Sequence, residues 1–162
     1  MAKDTYSNAT TNPSRCESHF LIKEIAGYLL HPSISTHEAN LRIADVGNGT
    51  GIWACDVSKN LPPTVQIDDF DISAAQFPAA DSRPQNVHLY THDGFEDYTT
   101  EFHEQYDIVH ARFWLCIVND PDAGPLPRKL LSLLMDGTAG AGCGSGCYAG
   151  GDGVDDCVGK TL

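Results

Sequence analysis

A short glycine-rich segment, residues 45–51, has the residue types and spacing of a ligand-binding turn. It follows an apolar run that predicts a strand, it precedes a helical pattern, and Gly47, Gly49 and Gly51 occupy alternate positions. Glycines at this spacing allow a tight turn and a close approach of the backbone to a ligand, at the start of a helix whose N–H groups face that ligand. The segment therefore predicts a ligand site at the first strand-to-helix turn.

An acid that could hold a sugar lies further along the chain. The second apolar run ends in Asp69-Phe70-Asp71, and Asp71 comes twenty residues after Gly51. A carboxylate at the end of the neighbouring parallel strand can bind the hydroxyls of a ribose. Loops also use glycine for turn geometry alone, but the strand before, the helix after and the acid at this distance favour a ribose-containing ligand. A dinucleotide site would need a further glycine at Ile52, which is too large.

The surrounding pattern predicts an α/β fold with a parallel sheet, because short apolar strands alternate with helical or loop stretches from residue 41 to about residue 134. Strands are predicted at residues 41–46, 65–70, 87–91 and 106–112. Helices are predicted at residues 18–30, 51–59 and 127–135, with a further helix around residues 73–80. Pro32 ends the first helical run, and Leu130, Leu131 and Leu134 form the core face of the last helix.

The two ends of the chain differ in composition from the part between them. Residues 1–13 are polar and predict a flexible arm, and residues 14–135 carry the patterned domain. Residues 136–162 are rich in glycine and cysteine and poor in branched or aromatic residues, which predicts a disordered tail. The tail cysteines match no common zinc spacing, so no metal site is expected.

Charge and hydropathy exclude several classes of partner. Ten Lys and Arg against 22 Asp and Glu give a formal net charge of -12, which repels phosphate backbones and anionic lipid surfaces. No apolar run approaches the roughly 18 residues that cross a bilayer, and the first residues lack the layout of a signal peptide. We therefore expect a soluble, cytoplasmic protein with a small-molecule partner, no nucleic acid and no membrane.

Several segments resemble a known family. Residues 45–51 resemble motif I of the class I S-adenosylmethionine-dependent methyltransferases, an acid followed by G-x-G-x-G, and residues 70–73 resemble the end of their second strand. Similarity to the fungal secondary-metabolite methyltransferases, of the LaeA-like and gliotoxin-cluster type, is carried by residues 27–34, 49–53, 70–78 and 106–112. The resemblance covers about residues 14–134. It implies a Rossmann-like methyltransferase sheet and S-adenosylmethionine as cofactor.

The resemblance assigns roles to the residues of the glycine-rich turn. It implies that Gly47, Gly49 and Gly51 hold the methionine and ribose side of the cofactor. Asp45 would orient the loop or meet the amino group of the cofactor, and Asp71 would bind the ribose hydroxyls.

Two further positions match the family's motifs beyond the turn. Asp93 matches the acid that accepts a hydrogen bond from the adenine amino group, with the Gly94 N–H alongside, although an acid in such a loop also serves turn geometry. His110 ends the fourth predicted strand, beside the place of methyl transfer. A histidine there could deprotonate an oxygen or nitrogen of the acceptor. The alternative for His110 is a histidine packed at a strand end.

The sequence also departs from the family. Asn48 stands where the family usually has a small residue or cysteine, and Asp69 stands where it usually has glycine. After residue 134 the family continues with a fifth strand and then two more, whereas this chain enters its glycine-rich tail. The expectation is an incomplete, C-terminally truncated sheet of about four strands, whose apolar fourth strand is an exposed edge that could mediate association. So abrupt a change of composition indicates a shifted reading frame or a mis-joined exon.

Two classes of function follow from these observations. The first is an enzyme that transfers a methyl group from S-adenosylmethionine to an oxygen or nitrogen of a small secondary metabolite. The second is a non-catalytic, methyltransferase-like fragment, which would be an interaction protein or a non-functional product. An NAD-binding Rossmann domain is a further alternative.

Overall fold

The computed structural model describes residues 13–112 and 124–135. Its helices and strands, in chain order, are α1 (Pro13–Ala26), β1 (Arg42–Val46), α2 (Ile52–Ser58), β2 (Gln66–Asp71), β3 (Val87–Thr91), β4 (Ile108–Ala111) and α3 (Pro125–Leu131). The predictions for residues 1–12 and 136–162, including the three tail cysteines, lie outside the described residues. Within the described ranges, no helix combines the length and the apolar composition that crossing a bilayer requires.

The four strands form one parallel sheet in the order β3-β2-β1-β4. The chain moves outward from β1 through β2 to β3, and then crosses back to place β4 on the other side of β1. The direction of the connections therefore reverses between β1 and β4. In open parallel sheets, ligands bind in the crevice at the carboxyl ends of the strands where this reversal occurs. The glycine-rich turn follows β1 and lies at that crevice.

Each face of the sheet is covered by its own apolar cluster. On the first face, Ile43, Ile67, Val87 and Ile108 form one row across all four strands and pack against Trp53, Ala54 and Val57 of α2. On the opposite face, Val46, Phe70 and Ala111 pack with Leu126 and Leu130 of α3 and with buried tyrosines. Apolar residues therefore alternate between two buried faces, as expected for a parallel sheet covered by helices on both sides.

The outer side of β4 is partly paired. Tyr106 forms a single parallel bridge with Leu134, and the Met135 N–H donates to the Tyr106 carbonyl. Ile108 and Val109 are both buried. The expectation of an exposed apolar fourth strand is therefore wrong for these two residues, because helices cover both faces of β4. The apolar positions from residue 113 to residue 118 lie outside the described residues.

The first helix differs from its prediction at both ends. α1 begins at Pro13 and ends at Ala26, not at residues 18 and 30. Gly27 ends it, because its φ of 78° is left-handed and its N–H caps the Lys23 carbonyl. The apolar side chains of Phe20, Leu21 and Ile25 are exposed, with Ile25 at 76% exposure, whereas that of His19 is buried. The polar contacts of His19, and not the apolar side chains, therefore fix the side of α1 that packs inward.

Two other predicted helices are corrected. The stretch around residues 73–80 forms two short 3₁₀ turns, Ala74–Gln76 and Ala80–Ser82, because Phe77 is extended before Pro78. The last helix, Pro125–Leu131, ends four residues earlier than predicted. Leu134 is consequently buried as a partner of β4 and not as part of a helical face.

Candidate functional site

The glycine-rich turn joins β1 to α2 and uses all three of its glycines for their conformation. Gly47, Gly49 and Gly51 have φ angles of 76°, 71° and 67°. This left-handed region is strained for residues with a Cβ atom. A Cβ on Gly51 would lie 3.4 Å from Asp69 Oδ2 and 3.5 Å from Leu89 Cδ2, which are ordinary van der Waals distances. The left-handed backbone, and not a lack of space, therefore favours glycine at this position.

The backbone N–H groups of the three glycines in the turn are paired within the protein. Gly47 N donates to the Phe70 carbonyl at 2.8 Å, and Gly49 N donates to Asp71 Oδ2 at 2.7 Å. Gly51 N donates to Asn48 Oδ1, also at 2.7 Å. A pyrophosphate binds such a turn through unpaired backbone N–H groups. These donors are already occupied, which favours a ligand without phosphate groups.

A row of side chains crosses the carboxyl end of the sheet beneath the turn. The strand register pairs Asp45 with Asp69 on one side and with His110 on the other, and it pairs Asp69 with Leu89. These four side chains share one face of the sheet, two residues beyond the aliphatic row that packs on α2. The fold therefore brings two predicted site residues, Asp45 and His110, into direct contact and adds Asp69 beside them.

Asp69 is the unusual member of this row. It is 0% exposed, and neither of its carboxyl oxygens has a hydrogen-bond partner among the described residues. Burial, followed by the negative charges of Asp45, Asp71 and Asp68, holds the pKa of the Asp69 carboxyl well above its usual range. The protonated form of the Asp69 carboxyl is therefore favoured relative to that of an exposed aspartate. Its neighbour Asp68 points to the other face and is paired with Arg42, His88 and Tyr106.

His110 is buried between Trp53 and Asp45. Its Nδ1 lies 2.6 Å from Asp45 Oδ1, and its ring stacks on Trp53 at 3.7 Å between centroids with an interplanar angle of 1°. The Trp53 Nε1–H donates in turn to the Leu29 carbonyl. His110 is 4% exposed. This arrangement orients the Asp45 carboxylate and resembles a packed strand-end histidine more than an accessible base.

The predicted adenine-side residues lie at the end of β3. Asp93 Oδ1 accepts from the Phe95 N–H at 3.0 Å, so the side chain stabilises its own turn, and Gly94 is buried next to it. The preceding residue, His92, donates its backbone N–H to the Asp71 carbonyl. Asp93 and Asp71 are thereby placed at the ends of adjacent strands, on the same edge of the sheet as the glycine-rich turn.

Sequence reasoning missed three features of this region. Asn48 stands out in the sequence only as a departure from the family, although its side chain caps Gly51. Asp69 also stands out in the sequence only as a departure from the family. A second carboxylate within a buried strand was the feature that could have drawn attention to it. No feature of the sequence pointed to a role for His19. Its Nδ1 accepts from Arg112 and its Nε2 lies 3.2 Å from Asp56 Oδ2, so α1 is anchored both to α2 and to the residue after β4.

Comparison with known proteins identifies the family. Residues 43–137 match the model of a methyltransferase domain. The chain is 33% identical over 107 residues to the N-methyltransferase tcpN of Claviceps purpurea, covering 65% of this chain and 38% of that protein. It is also 33% identical over 116 residues to the N-methyltransferase verN of Clonostachys rogersoniana, covering 69% and 40%. The chain thus spans about two fifths of the length of these relatives.

A solved structure supports the fold. The methyltransferase from Haloferax volcanii, solved in complex with its Trm112 activator, superposes with a TM-score of 0.60 at 13% identity, covering 78% of this chain and 54% of that one. The parallel sheet with its helices therefore has the fold that the sequence resemblance implied. The chain belongs to the methyltransferase domain family.

Proposed function

We propose that this chain binds S-adenosylmethionine at the carboxyl end of its sheet and contributes to methyl transfer to a small molecule. The observation that carries the proposal is the junction of the glycine-rich turn with Asp71, whose carboxylate accepts from Gly49 N at 2.7 Å. This contact places an acid suited to ribose hydroxyls directly against a turn made of left-handed glycines. Residues 14–135 are the proposed cofactor-binding domain, preceded by an arm of residues 1–13 and followed by the tail.

The polar atoms around the turn fit such a ligand. Three of them, Asp45 Oδ2, Asn48 Nδ2 and Thr50 Oγ1, are buried with no hydrogen-bond partner among the described residues. Buried polar atoms are normally paired, so an unpaired set at a crevice is explained by a ligand that completes it. An acceptor on Asp45 suits an ammonium group, and the donors on Asn48 and Thr50 suit a carboxylate. The amino-acid part of S-adenosylmethionine carries both groups.

The adenosine part would extend along the sheet edge from β2 to β3. Asp71 would accept from the ribose hydroxyls with the lone pairs that its bonds to Gly49 and Ser73 leave available. Asp93 would accept from the adenine amino group, and the Gly94 N–H would donate to the ring. Each of these roles is a hypothesis supported by position at the common edge of the sheet.

The cofactor supplies a methyl group on a sulfonium that is already a good leaving group. The protein then contributes mainly by positioning the two reactants. Similarity to the N-methyltransferases from Claviceps and Clonostachys favours a nitrogen acceptor, with oxygen as the alternative. His110 is proposed to hold Asp45 in place through its Nδ1 contact, and a role as general base would require the ring to leave its stack on Trp53.

Calorimetric titration with S-adenosylhomocysteine, and separately with NAD, tests the proposal. We expect S-adenosylhomocysteine to bind and NAD neither to bind nor to compete, because the N–H donors of the turn are occupied. Binding of NAD with displacement of S-adenosylhomocysteine would support the dinucleotide alternative. Binding of the cofactor without methyl transfer to any amine or hydroxyl acceptor would support the non-catalytic fragment, whose proposed association surface is the outer side of β4.

A further inference from the structure

The buried carboxyl of Asp69 is not accounted for by the roles above. Asp69 lies beside Asp45 in the strand register, and neighbouring strands are about 4.8 Å apart. Asp45 has a partner in His110, whereas both oxygens of Asp69 lack one within the described ranges. Two carboxyl groups so close together in a buried site cannot both be ionised without a large energetic cost. Ionisation of Asp69 is therefore disfavoured, because its carboxyl is buried beside another carboxyl and has no partner among the described residues that would stabilise the charge.

Asp69 also lies against the turn that would hold the cofactor. Its Oδ2 is 3.4 Å from the position of a Cβ on Gly51, in the same small space as Leu89 and Pro78. The turn that covers it carries the unpaired side-chain atoms of Asn48 and Thr50. Asp69 is thus a fully buried carboxyl, without a partner among the described residues, beneath the turn proposed to bind the cofactor.

The charged groups around Asp69 all raise the pKa of its carboxyl. From its own strand it senses Asp71 and Asp68, and from β1 it senses Asp45, all of which raise its pKa together with burial. The facing position on β3 is Leu89, which carries no charge, and the imidazole on β4 contacts Asp45. None of these groups is a fixed cation that would stabilise the ionised form of Asp69. A bound cation near Asp69 would therefore favour the ionised form of its carboxyl.

We infer that Asp69 distinguishes the cofactor from its product by charge: it keeps its proton in the free protein and releases it to solvent when S-adenosylmethionine binds. The inference rests on the proposed function. S-adenosylmethionine has a net charge of +1 because of its sulfonium, whereas S-adenosylhomocysteine is a thioether with no net charge. When the sulfonium compound binds, its positive charge would favour the ionised form of Asp69, so the O–H bond of Asp69 would break, its proton would pass to the buffer and a carboxylate would remain. When the thioether binds, that charge is absent and the proton stays.

This release makes the preference for S-adenosylmethionine depend on pH. Each proton released on binding raises the association constant by up to about tenfold per pH unit, by the linkage between proton and ligand binding. The affinity for S-adenosylmethionine should therefore rise with pH relative to that for S-adenosylhomocysteine. At higher pH the demethylated product, S-adenosylhomocysteine, would bind less tightly than S-adenosylmethionine, which would favour replacement of the spent cofactor.

The experiment is calorimetry of the full chain with each of the two ligands, in two buffers of different ionisation enthalpy, at several pH values from 6 to 8. Asp69→Asn removes the titrating group with little change of shape, and Asp97→Asn makes the same change at an exposed carboxyl. We expect the wild type and Asp97→Asn to release more protons with S-adenosylmethionine than with S-adenosylhomocysteine. In Asp69→Asn, we expect this difference to disappear while both ligands still bind.

Equal proton release with the two ligands in the wild-type chain overturns the inference, whether or not the variant folds. A difference that persists in Asp69→Asn overturns it as well, since another group would then be responsible. In both cases the proposed function stands, because binding itself is observed. Failure of the wild-type chain to bind either ligand would instead overturn the proposed function, and the role of Asp69 with it.

Discussion

The Asp71 carboxylate and the Gly49 N–H are joined by a hydrogen bond of 2.7 Å, which fastens the glycine-rich turn after β1 to the end of β2. One side chain thus has two tasks, since the acid proposed to hold the ribose also fixes the conformation of the turn. Its second oxygen accepts from Ser73 N at 3.1 Å. The turn and the start of the β2–β3 connection are therefore positioned by the same carboxylate.

Asp71→Ala should weaken the binding of S-adenosylhomocysteine by about tenfold or more, because charged hydrogen bonds contribute roughly 1.5 to 3 kcal/mol. Titration calorimetry measures the effect. Asp107→Ala is a suitable control, since Asp107 accepts a backbone hydrogen bond from Arg42 at the opposite end of β1. Unchanged affinity in Asp71→Ala would show that the ribose acid has been assigned to the wrong residue.

Gly51→Ala and Gly27→Ala form a matched pair. Both glycines have a left-handed φ, 67° and 78°, so an alanine at either position should cost about 1–2 kcal/mol of stability. A Cβ at Gly51 would also meet Asp69 and Leu89, whereas a Cβ at Gly27 would meet nothing within 4 Å. We expect Gly51→Ala alone to lose affinity for S-adenosylhomocysteine. Equal losses in the two variants would mean that strain, and not the site, controls binding.

The sequence predicted the sheet well because its strands are specified locally. The limits of β3 were predicted correctly, and those of β2 differ by one residue at each end. The glycine-rich turn was equally readable, since glycines at three alternate positions between a strand and a helix are typical of a ligand-binding turn. The burial of Asp69 and His19 could not be predicted from the local sequence. Their burial depends on neighbours 24 to 93 positions away in the chain, such as Asp45 beside Asp69 and Arg112 beside His19.

His110→Phe should retain the stack on Trp53 while removing the partner of Asp45 Oδ1. Leaving a buried acceptor without its donor costs about 1–3 kcal/mol, so both stability and affinity for S-adenosylhomocysteine should fall. His88→Phe is the control, because His88 contacts Asp68 on the opposite face of the sheet and is partly exposed. Urea unfolding and calorimetry of both variants separate the two effects. Normal affinity in His110→Phe would exclude a positioning role.

Asp69 should make the fold less stable as the pH rises. Burial and the charge of Asp45 hold its pKa well above the usual value of about 3.9, so the folded chain keeps a proton that the unfolded chain loses. The stabilising effect of that proton is fully present below about pH 3.9 and is lost as the pH rises through the folded pKa. Urea midpoints from pH 4 to 8 should show this decline in the wild type and a smaller one in Asp69→Asn. Identical slopes in the two proteins would contradict a raised pKa of Asp69.

His19 should make the fold less stable as the pH falls, which is the opposite of the effect of Asp69. The contributions of the two groups to the pH dependence of stability can therefore be separated. Arg112 can only donate, so His19 Nδ1 accepts from it and Nε2 carries the proton toward Asp56. Burial, aided by the charge of Arg112, lowers the pKa of His19 below its usual value of about 6.5. The unfolded chain therefore takes up the proton first, and the contribution of His19 is present above about pH 6.5 and is lost as the pH falls through the folded pKa.

The measurement is the urea midpoint between pH 7.5 and 5, made in the Asp69→Asn background to remove the opposing slope. We expect the midpoint to fall with acidification in that background, and to fall less when His19→Gln is added. His31→Gln, at a histidine whose side-chain partner is the nearby Ser33, should leave the slope unchanged. Hydrogen exchange should also show α1 losing protection before the sheet, because His19 anchors that helix to Asp56 and Arg112. Equal slopes with and without His19 would show that α1 is held by other contacts.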